Sequence, residues 1–386
     1  MKEFIKNHKI KFVVLISVFG LFWILFGLRY VPAFSEWYST TIGRFYQIVI
    51  GWITSLVPFS IFEILIFAAI AGLILWIIFF VLETRKKGIK KSGVMIINLL
   101  LTVFTVCTLY VGTAGMSYYR KPMKLDLNTS VETTEYKDIA FYYTEELKDC
   151  INHLEFKKDG SLVNPYSLNE LSILISQEYD KINNPQITKF NVRAKPLYLT
   201  SWMYSELNIC GVTFSPTAEA NYNYKVPALD LPTTIAHEMA HTKGIMREDE
   251  ANQLALYVCL NSENYFIKYS GLVMVFDSIL PFIEAQNDKA LTENYLRQMT
   301  PEMWASFANS NAFWESYHLL RDFSEWWNNL YLKIFGNQTT ASYVDPINTG
   351  SEIINDEPVY RIYGLSPYQN IYIDHYLKEK SISSLF

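Results

Sequence analysis

The 386-residue sequence predicts an α+β fold in two parts: an N-terminal bundle of three transmembrane helices, then a mainly helical domain with a small sheet. Three observations carry this expectation. Residues 12–28, 61–82 and 94–115 are almost unbroken apolar sequence, each close to the ~20 residues a helix needs to cross a bilayer. From residue 120 onward the polarity becomes that of an ordinary water-facing domain, about 265 residues long and sufficient for one large core. Within that domain apolar residues recur mostly at helical spacing, and only short runs alternate.

The membrane part is taken as residues 1–119. Its first apolar run is long for a signal peptide, and Arg29-Tyr30-Val31-Pro32 follows it in place of a small-residue cleavage site. Basic residues set the expected orientation. Lys2, Lys6, Lys9 and Lys11 precede the first span, and Arg85, Lys86, Lys87, Lys90 and Lys91 lie between the second and third. The opposite side carries Arg29, Arg44, Arg120, Lys121 and Lys124. Nine against five places the N-terminus in the cytoplasm and the domain of residues 120–386 outside it. Residues 45–57 are apolar but too short to cross; with Trp37, Tyr38, Tyr46 and Trp52 nearby they read as an interfacial helix. Glu63, near the head of the second span, reads as a capping or snorkelling acid.

The chemistry is concentrated in His237-Glu238-Met239-Ala240-His241. Two histidines four apart on a helix share a face, so their imidazoles can converge on one metal ion. Zinc, one per chain, is the expected occupant. Glu238, one step round the helix, is placed to take a proton from a metal-bound water, which is the arrangement of metal-assisted hydrolysis. Pro232 suits the first turn of this helix, and Gly244 suits the left-handed residue that ends it.

A third ligand is expected downstream, where Glu248, Asp249 and Glu250 compete. Ala251, Leu254, Ala255 and Val258 define the buried face of the next helix. Glu248 falls about 60° from the centre of that face, Glu250 about 100° and Asp249 about 160°. Glu248 is therefore favoured, with Glu250 as the alternative. Asn252, four residues beyond Glu248, can hydrogen-bond a ligand histidine and fix its tautomer.

His237-Glu238-x-x-His241 followed by Glu248-x-x-Ala251-Asn252 is similar to the gluzincin signature, in which a second helix brings E-x-x-A-D to the zinc. The resemblance implies His237, His241 and Glu248 as ligands and Glu238 as general base of a zinc metallopeptidase with a zincin-like domain. The departure is Asn252 in place of aspartate: it accepts a hydrogen bond but carries no charge, which makes the histidine it orients a weaker ligand. More closely, the chain resembles an uncharacterised, domain-of-unknown-function family of bacterial membrane proteins. The similar stretches are Val57-Pro58-Phe59-Ser60-Ile61-Phe62-Glu63 and Phe214-Ser215-Pro216-Thr217-Ala218-Glu219-Ala220-Asn221. That resemblance implies a multi-pass protein of the bacterial cell membrane, with the lipid bilayer as partner, while the gluzincin resemblance implies a peptide or protein substrate.

Elsewhere, residues 136–150, 168–181, 265–282, 292–299 and 312–335 read as helical, and 195–200 and 209–214 as strands. The zincin resemblance implies that Gly211, Val212, Thr213 and Phe214 bind substrate backbone by strand addition; an ordinary core strand is the alternative. Tyr317 and His318 are candidates, by position alone, for stabilising an oxyanion. Cys150 and Cys210 are a candidate disulfide pair. A net charge of −5 without a basic stripe argues against nucleic acid, and no phosphate-binding loop or nucleophile motif is present. Two function classes remain: a membrane-anchored zinc peptidase, and a non-catalytic binding or regulatory membrane protein with a structural or vestigial metal site. The sequence leaves oligomeric state open.

Overall fold

The computed structural model describes residues 4, 7–88, 92–129, 136–285, 289–336, 349–354, 357–362 and 366–383. Among the described residues, three helices are long and apolar enough to cross a membrane. They are α1 (Lys9–Leu28), α4 (Ile61–Lys87) and α5 (Gly93–Tyr110), the last continuing through a wide turn at Val111–Gly115 to a short turn at Ser117–Tyr119. Between α1 and α4 lie α2 (Pro32–Tyr38) and α3 (Arg44–Ser55). α3 turns Gln47, Gly51 and Thr54 toward the protein and leaves Phe45, Trp52 and Ile53 exposed. A Cβ on Gly51 would stand 2.6 Å from the Val192 side chain, so glycine permits this close packing.

The region after the spans is predominantly helical and holds a small, open three-stranded sheet. Its elements are α6 (Tyr136–Asn152), α7 (Leu168–Asp180), β1 (Lys195–Pro196), α8 (Ser201–Glu206), β2 (Gly211–Phe214) and β3 (Glu219–Tyr222). Then come α9 (Leu231–Thr242), α10 (Glu248–Leu260), α11 (Tyr265–Ala285), α12 (Lys289–Arg297), α13 (Pro301–Ser316) and α14 (Arg321–Tyr331). The hairpin of β4 (Thr349–Ile354) and β5 (Glu357–Ile362) and helix α15 (Pro367–Ser383) complete the described chain. The sheet order is β1-β3-β2, with β1 parallel and β2 antiparallel to β3. β2 is thus an edge strand among the described residues.

α9 and α10 form the centre of the core. The expected face of α10, Ala251, Leu254, Ala255 and Val258, is buried, and so are Leu256, Cys259 and Leu260. Ile235 and Met239 of α9 pack into the same cluster, which extends to Tyr143, Tyr179 and Tyr372. All four cysteines are free, so Cys150 and Cys210 are not paired.

Two expected elements differ. The strand expected over 195–200 pairs only at Lys195 and Pro196, because the chain turns at Thr200 into α8. Glu63 holds that turn: its Oε1 accepts from Leu199 N (3.0 Å), Thr200 N (2.8 Å) and Thr200 Oγ1 (2.6 Å). The carboxylate thus joins a membrane helix to the sheet, while Ser60 caps the Glu63 N–H. The helical stretch expected over 312–335 breaks after Ser316, where Tyr317 becomes extended. Arg321 satisfies the freed carbonyls of Trp314 and Tyr317.

His375 of α15 is buried against Tyr143, whose hydroxyl donates to Tyr372 O and therefore accepts from His375 Nδ1–H. Burial, reinforced by Lys268 and Lys378, lowers its pKa to about 3. A depressed histidine is neutral when folded but charges when unfolded below ~6.5. Stability is therefore expected to fall as pH drops from about 6.5 toward 3, by up to roughly 4 kcal/mol. Urea unfolding across that range checks this: His375→Gln should flatten the acid limb, and an unchanged slope would refute it.

Candidate metal site

Helix α9 presents His237, Glu238 and His241 because Pro232 opens it and Gly244, at φ +89°, ends it. The chain turns back at once, and the carbonyl of Ile245 accepts from His241 Nδ1 at 2.8 Å. Helix α10 then starts at Glu248. His237, His241 and Glu248 offer ligand atoms that all lie within 4.8 Å of one another. His237 Nε2 is 3.1 Å from His241 Nε2 and 3.2 Å from Glu248 Oε2, and His241 Nε2 is 3.4 Å from the same oxygen.

These three separations test the fit to a metal. Ligands about 2.0–2.1 Å from a tetrahedral zinc stand about 3.3 Å apart, so the triangle has the size of one tetrahedral face. The donor set agrees. His237 Nδ1 faces Asn252 Oδ1 at 2.6 Å, and His241 Nδ1 faces a carbonyl. Both Nδ1 atoms therefore carry their protons, and in neutral rings both Nε2 lone pairs point at a carboxylate oxygen. Three acceptors converging this closely require a cation between them. Without a metal, a proton fills that need: burial opposes charge on His241, yet Glu248 raises its pKa to about 9. Burial would raise Glu248, but His241 and His237 hold it below the usual carboxylate range.

Glu238 is buried beside the cluster, and burial raises its pKa despite the nearby histidines. The Thr213 hydroxyl of β2 lies 2.8 Å from both its carbonyl and its Oε2. β2 runs so close that a Cβ on Gly211 would stand 2.7 Å from Glu238 Oε1. Val212 and Phe214 pack toward α4, Phe214 stacking on Phe62 with ring centroids 4.7 Å apart. Of the competing acids only Glu248 joins the histidines. Glu250 accepts from Met123 N at 3.0 Å and pairs with Arg247, and burial brings its pKa to about 7. Asp249 pairs with Arg247 at 2.9 Å.

Tyr317 and His318 occupy the α13–α14 break, with the Tyr317 ring against Phe313. The tyrosines at the cluster are others. Tyr118 donates to Glu248 Oε1 at 3.3 Å, Tyr331 lies 3.3 Å from Tyr118, and Tyr110 bonds to Tyr331. Burial pushes the Tyr331 hydroxyl up to about 12, so it stays protonated. No local spacing links Tyr118 or Tyr331 to the histidine motif, and only their aromatic surroundings mark them in the sequence.

A family model described as "Protein of unknown function (DUF3810)" matches residues 38–348, from α2 to beyond α14. The chain belongs to the DUF3810 family. The matched stretch of this DUF3810 protein includes two of its three spans, the sheet and the whole His237–His241–Glu248 cluster. No curated protein and no solved structure matches the chain.

Proposed function

We propose that this protein is a membrane-anchored zinc-dependent peptidase. The convergence of three lone-pair atoms at tetrahedral spacing, with a buried carboxylate alongside, carries the reading. His237, His241 and Glu248 would hold the zinc. Zinc bound there would supply a Lewis acid and lower the pKa of water at the open position. Glu238 would take that water's proton and pass it to the leaving amine; burial moves its pKa toward the range a general base needs. The Tyr118 and Tyr331 hydroxyls are protonated donors beside the cluster, suited to developing negative charge. Gly211, Val212, Thr213 and Phe214 would receive an extended substrate on the open edge of β2. The excess of basic residues before the first span and between the second and third supports a catalytic domain outside the cytoplasm.

A structural zinc is the competing reading. Such sites take four protein ligands, and the cluster offers three among the described residues. Elemental analysis of the full-length protein in detergent tests the proposal. One zinc per chain is expected, lost in His237→Ala and in Glu248→Ala but retained in Glu250→Ala. A protein that binds no zinc when zinc is supplied sinks it. Asn252 fixes the His237 tautomer, so Asn252→Ala is expected to weaken zinc affinity about 10–100-fold, measured by competition with a chelator.

A further inference from the structure

Among the described residues, apolar side chains are exposed near the site and the ends of the spans at α3, at the turn into α8 and on α14. α3 shows Phe45, Trp52 and Ile53. Tyr198, Leu199 and Trp202 are more than half exposed beside the turn held by Glu63 of α4. The largest patch is on α14. At about 100° per residue, Phe323, Trp326, Trp327 and Leu330 share one face and Asp322, Glu325 and Asn329 lie on the other. Ser324 is buried and the Tyr331 hydroxyl meets Tyr110 and Tyr118, so a third side faces the protein. Phe323, Trp326 and Trp327 are each more than half exposed.

The spans fix the depth of this helix. Arg29, directly after α1, is wholly buried and donates to the carbonyls of Ile334 (2.7 Å) and Phe335 (3.3 Å), just past α14. Tyr110 lies about 26 Å along α5 from Gly93 at 1.5 Å per residue. That is within, or at the edge of, a hydrocarbon layer about 30 Å thick. Its ring packs on Phe335 and its hydroxyl meets Tyr331. Tyr331 contacts Tyr118, and Tyr118 contacts Glu248. Three tyrosines therefore connect the lipid edge to the candidate metal cluster.

We infer that α14 lies in the headgroup layer of the same bilayer, with Phe323, Trp326 and Trp327 against lipid, and that the candidate metal site beside β2 takes the membrane-proximal stretch of a membrane-anchored polypeptide. Bilayer lipid is the occupant because the segment just past α14 is held against the ends of α1 and α5, by Arg29 on the Ile334 carbonyl and by Tyr110 on Phe335, and because exposed aromatic rings suit that boundary. The substrate class rests on the peptidase reading; the placement of α14 does not.

Two measurements on the full chain in phosphatidylethanolamine–phosphatidylglycerol vesicles separate these. The first compares tryptophan emission of the protein and of Trp326→Phe/Trp327→Phe. The emission lost in the variant should be quenched at least twofold by brominated acyl chains. If aqueous iodide quenches it and bromolipid does not, α14 faces water or awaits a protein partner, and the inference falls. The second supplies a randomised 40-residue segment to zinc-loaded vesicles, either fused to an apolar span or free. Cuts should fall beside the span, at least tenfold faster than in the free segment, and vanish in Glu238→Gln. Equal cutting of both forms overturns the substrate class and leaves the peptidase standing. No cutting of either overturns both, whatever the quenching result.

Discussion

Glu238→Gln is expected to leave zinc stoichiometry and fold intact while lowering peptide hydrolysis by about 10²–10⁴. Glutamine keeps the shape of the side chain and can still accept from Thr213, so the packing beside Gly211 is preserved. It cannot take a proton at neutral pH. Because Glu238 lies beside rather than among the three converging ligand atoms, zinc content should stay at one per chain. Initial rates on zinc-loaded wild type and variant, alongside elemental analysis, give the comparison. A variant that hydrolyses peptides at the wild-type rate would remove Glu238 from the chemistry, and one that loses zinc would make it a ligand instead.

Lys195→Ala is expected to destabilise the protein by about 3–5 kcal/mol, the usual cost of orphaning one partner of a buried ion pair. Lys195 Nζ lies 2.6 Å from Glu219 Oε1 and 2.8 Å from Thr54 O, and both charged side chains are almost wholly excluded from solvent. Glu219 also accepts from Ile61 N and Phe62 N at 3.0 Å each, so it sits at the N-terminus of α4, where the helix dipole favours an anion. The pair thereby fastens β1 and β3 to the head of a membrane helix. In Lys195→Met/Glu219→Gln no uncompensated charge remains, and much of the loss should be recovered. Denaturant unfolding in detergent, run as a double-mutant cycle, reads both effects. A single-variant cost below about 1 kcal/mol would mean that the pair does not hold this joint.

Much of the site is legible in the sequence because its residues are local. Helical period puts His237 and His241 on one face, phase selects Glu248 over Glu250, and Asn252 falls one turn beyond it, where it reaches His237 Nδ1. The spans are legible from length and apolarity alone. Other features have no local signature. Glu63 reads as a capping acid until the turn at Thr200 is seen to fold over it. Residues 195–200 have strand character, but only the two that meet Asn221 and Tyr222 are paired. The β4–β5 hairpin and α15 do not stand out by pattern, since α15 owes its burial to Tyr143 and α10 rather than to an apolar period of its own.

Sequence alone thus determined three helices long and apolar enough to cross a membrane and an α9–α10 pair carrying two histidines, a glutamate and an asparagine, because periodicity and spacing along one or two helices encode them. Only the tertiary structure decided that Tyr118 reaches the cluster with Tyr331 behind it, that Thr213 holds Glu238, and that the site stands at the ends of the spans rather than far from them. Those relations join residues 25 to 213 positions apart. They arise when separate elements bury their surfaces against one another, and no local period in the chain records that packing.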